Sequence, residues 1–160
     1  MLIYYFGYGS NMAARIMQEY CPDHRLIGAA QLADYQLAFN RKSTRWRAGV
    51  ADVIPAPGSL VWGGLYAISP RDLAALDDKE SNGKAYQRFD CVVTAKGQDY
   101  DAVTYGVIAK LPHNIPTSRA YRDTLLEGAR ALKLPPDYIE KIAAVPVEDE
   151  PGSLNVTRLS

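Results

Sequence analysis

Apolar and polar positions along this chain repeat with two periods, and the changes of period divide it into elements. Leu2–Phe6 is an unbroken apolar run of strand length, closed by Gly7-Tyr8-Gly9-Ser10. That pattern predicts a buried strand and a turn. From Asn11 to Tyr20 the apolar residues fall at Met12, Ile16, Met17 and Tyr20. This is helical spacing, with Ser10 or Asn11 available as the cap. Leu26–Leu32, Tyr35–Phe39, Gly49–Ile54 and Val61–Ile68 read as strands, with Pro55-Ala56-Pro57-Gly58 as a firm turn between the last two.

Ser69-Pro70-Arg71-Asp72 is a helix start: a hydroxyl cap, Pro at the first helical position and an acid at the third. The helix is predicted to run to about Asp78 with Leu73 and Leu76 inward, ended by Ser81-Asn82-Gly83. Arg88–Thr94 and Asp101–Ala109 form a hairpin around Lys96-Gly97, and Val103, Tyr105 and Val107 share a face. Thr117 is placed to cap a long helix with Tyr121, Leu125, Ala129 and Leu132 on one stripe. Pro135-Pro136-Asp137 starts a short helix through Ala144, which Pro146 stops. Strands come first, helices are interspersed, and no regular βαβ alternation exists. The predicted class is α+β, with the strands curled into a small barrel. Residues 1–147 make one domain, and the polar stretch 148–160 reads as a loose tail.

Composition removes several classes of function. Eighteen basic against eighteen acidic residues leave no net charge, which disfavours a dedicated nucleic-acid or membrane-surface binder. No run approaches the ~20 apolar residues that span a bilayer. The N-terminus has no basic segment ahead of its short apolar run, unlike a secretory signal. Cys21 and Cys91 are isolated thiols of the kind buried in a reducing compartment. A soluble, cytoplasmic protein is predicted, a monomer by default. His24 and His113 match no metal-ligand spacing, so no metal site is expected. Eleven Tyr against three Phe is the unusual count, and it suits a half-polar pocket as well as half-exposed strands.

Chemistry has a few places to reside. Gly7-Tyr8-Gly9-Ser10-Asn11 joins a strand to a helix. Its backbone N–H groups can form a nest for an anion or a developing oxyanion, or can simply make a tight capped turn. The loop lacks the third glycine of a dinucleotide fingerprint, the Gly-Lys-Ser/Thr of a Walker loop and the Gly-x-Ser-x-Gly of a nucleophile elbow. Asp77, Asp78 and Glu80 crowd a helix C-terminus, against the macrodipole. Such a placement marks either a site or a solvated helix end. Tyr86, Tyr105 and Tyr121 sit on different elements and can converge on one pocket or serve the core. Arg41-Lys42-Ser43-Thr44-Arg45-Trp46-Arg47 is a basic loop. Its readings are a solvated loop, capture of an acidic substrate group, or a miniature nucleic-acid patch.

Together these segments resemble the gamma-glutamylcyclotransferase family, the broad group that includes the avirulence-induced-gene-like proteins. The family opening appears as Tyr4-Tyr5-Phe6-Gly7-Tyr8-Gly9-Ser10-Asn11-Met12, and its Val-Trp-Gly strand as Val61-Trp62-Gly63-Gly64-Leu65-Tyr66. The Leu-Asp-x-x-Glu helix end is Leu76-Asp77-Asp78-Lys79-Glu80. The C-terminal pattern is spread over Pro116–Tyr121, Gly128-Ala129 and Leu134-Pro135-Pro136-Asp137-Tyr138. The match covers roughly residues 3–145 in order.

The resemblance implies an α+β fold around a mixed barrel and a reaction without cofactor. In that reaction the free α-amine of a gamma-glutamyl compound attacks its own γ-carbonyl, releasing 5-oxoproline and an amine. The amine is an ammonium at neutral pH, with a pKa above the ~7.7–8.0 of a chain terminus, so a base must deprotonate it. A carboxylate suits that role when partial burial raises its pKa. By resemblance Glu80 is the catalytic acid/base, and the N–H groups around Tyr8, Gly9, Ser10 and Asn11 hold the oxyanion. Tyr86, Tyr105 and Tyr121 match positions that line the pocket and bind the glutamyl moiety. The expected partner is a small gamma-glutamyl molecule, with no nucleic acid and no membrane. The family has Gly after the catalytic Glu where this chain has Ser81. A positive φ there implies a strained Ser or a rearranged turn. Two other functions compete: a non-catalytic binding module on the same scaffold, and an amide hydrolase with Ser10 as nucleophile and His24 or His113 as base.

Overall fold

The first strand, β1 (Ile3–Gly7), shows how one apolar run serves two cores in the computed structural model, which describes residues 2–150. It pairs antiparallel with β3 (Ala48–Ile68), Tyr5 opposite Tyr66 and Phe6 opposite Leu65. Successive side chains of a strand point to opposite faces. Phe6 and Leu65 therefore enter the main core, while Tyr5 and Tyr66 stack in a second cluster with centroids 6.0 Å apart. The remaining strands are β2 (Arg25–Ser43), β4 (Tyr86–Ala95) and β5 (Gln98–Val107), and they close a barrel in the order β1-β3-β2-β4-β5. The seam is parallel, Tyr5 opposite Val103, and the other pairings are antiparallel. The small α+β barrel expected from the pattern is what forms, and it is mixed as the resemblance implies.

Four helices flank the barrel: α1 (Ala14–Tyr20), α2 (Pro70–Lys79), α3 (Arg119–Ala131) and α4 (Pro136–Ala143). Met17 of α1 and Leu76 of α2 join Tyr5, Tyr66 and Tyr105 in the second cluster, and Val103 packs against it. Leu125 and Ala129 of α3 are fully buried in the main core, and Tyr138 and Ile142 of α4 extend it. Burying one such leucine contributes about 1.5–3 kcal/mol. Gly128 is where α3 crosses the Ser10–Met12 turn, and a Cβ there would lie 2.5 Å from a Met12 backbone atom. None of the helices among the described residues is long and apolar enough to cross a membrane.

Several local expectations are corrected. Pro55–Gly58 does not separate two strands: Leu60 still pairs with Ala33 and Pro55 with Tyr35, so these residues bulge from one continuous strand. The Gly58 N–H donates to Asp34 Oδ1 at 2.9 Å, which holds the bulge. The helix expected from Asn11 is a 3-10 turn, Ser10–Met12, followed by α1, and neither Ser10 nor Asn11 caps it with a side chain. Ser118 rather than Thr117 caps α3, accepting from the Tyr121 N–H at 3.1 Å. The Thr117 hydroxyl is spent on the Gly49 carbonyl at 2.6 Å.

The stretch expected to be loose from Glu148 is tied down as far as it is described. The Glu148 N–H donates to Thr117, Asp149 accepts from the Arg119 N–H, and Glu150 pairs with Lys42 and Arg47. Residues 151–160 of the expected tail lie outside the described residues.

Candidate functional site

Glu80 is positioned by the helix that precedes it. Ser69 and Asp72 close a reciprocal capping box at the start of α2, with Pro70 in the first turn as the sequence predicts. Leu76 fixes the other end, fully buried. Glu80 is the C-cap, its N–H bonded to the Leu76 carbonyl at 2.9 Å. Its carboxylate is 18% exposed, with Oε1 3.2 Å from the Lys79 ammonium. Of the other two acids at this helix end, Asp78 is exposed and Asp77 clamps the helix to the barrel. Asp77 accepts from the Tyr105 hydroxyl at 2.6 Å and pairs with the Arg88 guanidinium. The chain leaves the helix through Ser81 at φ 49°. The turn keeps its left-handed geometry and the serine carries the strain.

Opposite Glu80 lies the loop after β1. Met12 and Ala13 N–H groups bond the Gly9 and Ser10 carbonyls at 3.0 and 3.1 Å, winding the 3-10 turn. The N–H groups at the open start of that turn have no partner within it. Asn11 is 4% exposed: its Nδ2 donates to the Tyr5 hydroxyl at 2.8 Å, and its Oδ1 is buried without a partner. Gly9 admits the Tyr121 hydroxyl, which would stand 3.0 Å from a Cβ at that position.

A cavity of about 190 Å³ separates these two walls. The structure brings all eight residues singled out in the sequence to its lining: Tyr8, Gly9, Ser10, Asn11, Glu80, Tyr86, Tyr105 and Tyr121. Their hydroxyls are not equivalent. Tyr8 donates to the Tyr105 carbonyl at 2.5 Å, Tyr86 to the Ala51 carbonyl at 3.1 Å and Tyr105 to Asp77. Tyr121 instead accepts, from the Ala51 N–H at 3.0 Å, and its own proton has no acceptor among the described residues. The Ser10 N–H is a second backbone donor to the Tyr121 hydroxyl, which leaves its proton available to donate into the cavity.

Burial pushes the phenols of Tyr5, Tyr8, Tyr86, Tyr105 and Tyr121 up, and the Glu80 carboxylate pushes all five the same way. They are neutral at physiological pH. Neither His24 nor His113 reaches the lining, so Ser10 has no imidazole beside it in the cavity. No group of three or more His, Cys, Asp or Glu is arranged to hold a metal among the described residues. Cys21 and Cys91 are free thiols.

Sequence reasoning missed part of the lining. Tyr5 also lines the cavity, although it sits on the barrel's outward face. Its hydrogen bond to Asn11 is a tertiary contact with no local signature. The basic loop, which the sequence leaves open among a solvated surface, a substrate contact and a nucleic-acid patch, curls over the cavity and contributes Arg41, Arg45 and Trp46. Trp46 packs edge-on against Tyr121 with centroids 5.0 Å apart.

A five-stranded mixed barrel with a carboxylate facing a strand–turn loop across a tyrosine-lined cavity defines a gamma-glutamylcyclotransferase-like fold. Residues 60–142 match the AIG2-like family, and the chain belongs to that family. Gamma-glutamylcyclotransferase of mouse is 27% identical over 157 residues, covering 94% of this chain and 82% of its own length; the human protein matches to the same extent. A solved gamma-glutamyl cyclotransferase superimposes with a TM-score of 0.89 at 24% identity over the whole of both chains. YkqA of Bacillus subtilis gives 0.78 at 29% identity, covering 92% of this chain and 56% of that one.

Proposed function

We propose that the protein is a cyclotransferase that closes the gamma-glutamyl group of a small amide or dipeptide to 5-oxoproline and releases the amine. The observation that carries this reading is Glu80, an 82%-shielded carboxylate across one small cavity from the Gly9–Asn11 turn. Relatives named gamma-glutamylcyclotransferase support it.

In the reaction, the α-nitrogen forms a bond to the γ-carbonyl carbon and the bond from that carbon to the leaving nitrogen breaks. Each proton shed by the attacking nitrogen passes to Glu80 and returns from it to the leaving nitrogen. The carboxylate ends as it began, and no water is consumed. The oxyanion of the tetrahedral intermediate is held by N–H donors of the Gly9–Asn11 turn and by the Tyr121 hydroxyl. Loss of one such donor typically costs ~3–4 kcal/mol of barrier. Nucleophile and electrophile belong to one molecule, so the cavity wall mainly folds the substrate toward its five-membered ring. No cofactor takes part in this scheme. The partner is a small gamma-glutamyl molecule, and the protein works as a cytoplasmic monomer, a placement that its two free thiols support.

The test is incubation of the protein and its Glu80→Gln variant with a panel of gamma-glutamyl amino acids and amines, following 5-oxoproline by mass spectrometry. Product from the parent alone is the expected result; product from neither removes the reading.

A further inference from the structure

Two residues of β2 face one of β3 beside the cavity. Ala38 pairs with Asp52 and Arg41 with Val50, so Phe39 and Asn40 stand against Ala51 alone. Such a bulge breaks the ladder locally and re-aims the backbone. Here the freed groups of Ala51 go to phenols of the site. Its N–H donates to the Tyr121 hydroxyl at 3.0 Å, and its carbonyl accepts from the Tyr86 hydroxyl at 3.1 Å. On the other strand, the Phe39 and Asn40 carbonyls accept from the N–H groups of Ile115 and Leu111, both at 2.8 Å. The Phe39 N–H donates to Asn114 Oδ1 at 2.9 Å. The bulge thereby also seats the segment that leads from β5 to α3, the helix that carries Tyr121.

A buried charge lies across this bulge. Asp52, next to Ala51, is fully buried and does not itself line the cavity. Its Oδ1 accepts from the Val107 N–H at the end of β5 at 2.9 Å. Its Oδ2 accepts from Asn40 Nδ2 at 2.8 Å and Lys110 Nζ at 2.6 Å. Lys110 also donates to the Val107 carbonyl at 2.7 Å. Asn40 turns its amide nitrogen to the carboxylate although its Oδ1 is then buried without a partner. A buried ion pair adds little stability over an apolar filling of the same shape. What this one adds is a single fixed geometry for three strands at the edge of the site.

We propose that Asp52 is a positioning residue for the cyclisation: locked by Lys110 and Asn40, it holds the Ala51 N–H on the Tyr121 oxygen so that the hydroxyl proton is presented to the cavity. This rests on the cyclising reading above. The Tyr86 proton is engaged by the Ala51 carbonyl, so the route from Asp52 to the reacting atoms runs through Tyr121. A donor to the oxyanion acts in the transition state rather than on bound substrate. Loss of its aim therefore lowers kcat and spares KM.

The test is a double-mutant cycle between Asp52→Asn and Tyr121→Phe, with kcat and KM read on the gamma-glutamyl compound that the parent turns over fastest. Asn can keep the Val107 contact but cannot satisfy both Asn40 and Lys110. Asp52→Asn is expected to lower kcat about 10- to 100-fold, with KM within about threefold of the parent. In the Tyr121→Phe background the same substitution is expected to cost less than about threefold. A merely structural role gives equal losses in the two backgrounds, and that result overturns the assignment, as does a parental kcat in Asp52→Asn. If Asp52→Asn does not fold, the exposed end of the clamp carries the same test. Lys110→Gln is expected to lower kcat about 3- to 10-fold only where Tyr121 keeps its hydroxyl, and Lys110→Arg to retain the parental value. A parental kcat in Lys110→Gln, or a loss indifferent to Tyr121, then overturns the assignment. Each of these outcomes leaves the cyclising reading intact, whereas absence of 5-oxoproline from the parent removes both.

Discussion

The Tyr105 hydroxyl donates to Asp77 Oδ1 at 2.6 Å, and this bond fixes the last turn of α2 three residues before Glu80. Asp77 also holds Arg88 of β4, so one carboxylate ties the helix that carries Glu80 to two adjacent barrel strands. Replacing it with Asn weakens both contacts without changing shape. Asp77→Asn is expected to cost about 1–3 kcal/mol of stability and, by letting the helix end move, to lower kcat more than it raises KM. Urea unfolding and steady-state 5-oxoproline formation measure the two effects. An unchanged kcat would show that Glu80 is held without this clamp.

Glu80→Gln keeps the size of the side chain and removes its basicity. The expected loss is about 10²–10⁴-fold in kcat, with the melting temperature close to that of the parent. A loss under tenfold would move the proton transfer to another group.

Ser81 holds a φ of 49°, a conformation that costs a non-glycine residue roughly 1–2 kcal/mol. Ser81→Gly is expected to raise stability by up to ~1 kcal/mol, with activity retained. Ser81→Val, branched at Cβ, is expected to lower it by a similar or larger amount. Thermal unfolding of the pair settles the sign.

Gly128→Ala places a methyl 2.5 Å from the Met12 backbone. Overpacking of this kind typically costs about 1–3 kcal/mol. The Ser10–Met12 turn, pushed by the new methyl, is expected to lose activity beyond what the stability loss accounts for. A variant as active and as stable as the parent would mean that α3 can retreat freely.

Alkaline pH tests the buried phenols. Burial raises Tyr5, Tyr8, Tyr66, Tyr86, Tyr105, Tyr121 and Tyr138 above their ordinary 10, and pushes the Cys21 and Cys91 thiols up to about 12 from 9. The unfolded chain ionises first in each case, so it holds fewer protons than the folded one above those ordinary values. Stability is then full below pH ~9 and falls as pH rises through 10 and beyond. Melting temperature against pH, with tyrosinate absorbance as the second probe, is expected to show these phenols ionising together on unfolding rather than one by one.

Elements whose signals are local were legible in the sequence: the Ser69–Asp72 capping box, the Lys96-Gly97 hairpin and the stripe Tyr121–Leu125–Ala129. Pro55–Gly58 was misread because residues that terminate strands also populate bulges. Only the partner strand, which pairs with both sides, distinguishes the two. Glu80, Tyr86, Tyr105 and Tyr121 stood out by type and position, the resemblance gave them roles, and the fold gathers them in one cavity. Tyr5 escaped notice, and Arg41 and Arg45 were seen only as part of a basic loop with three open readings, because membership of the cavity depends on how two long strands curl. Along the chain, Arg41 is indistinguishable from Lys42, yet one faces the cavity and the other Glu150.

Trp46 gives the molecule an optical reporter. Of its two tryptophans, Trp46 lines the cavity against Tyr121, whereas Trp62 lines a separate groove beside α4. Trp62→Phe would leave a single indole whose emission comes from the site itself. Ligand arrival could then be timed by fluorescence in the unlabelled protein, ahead of and apart from any turnover.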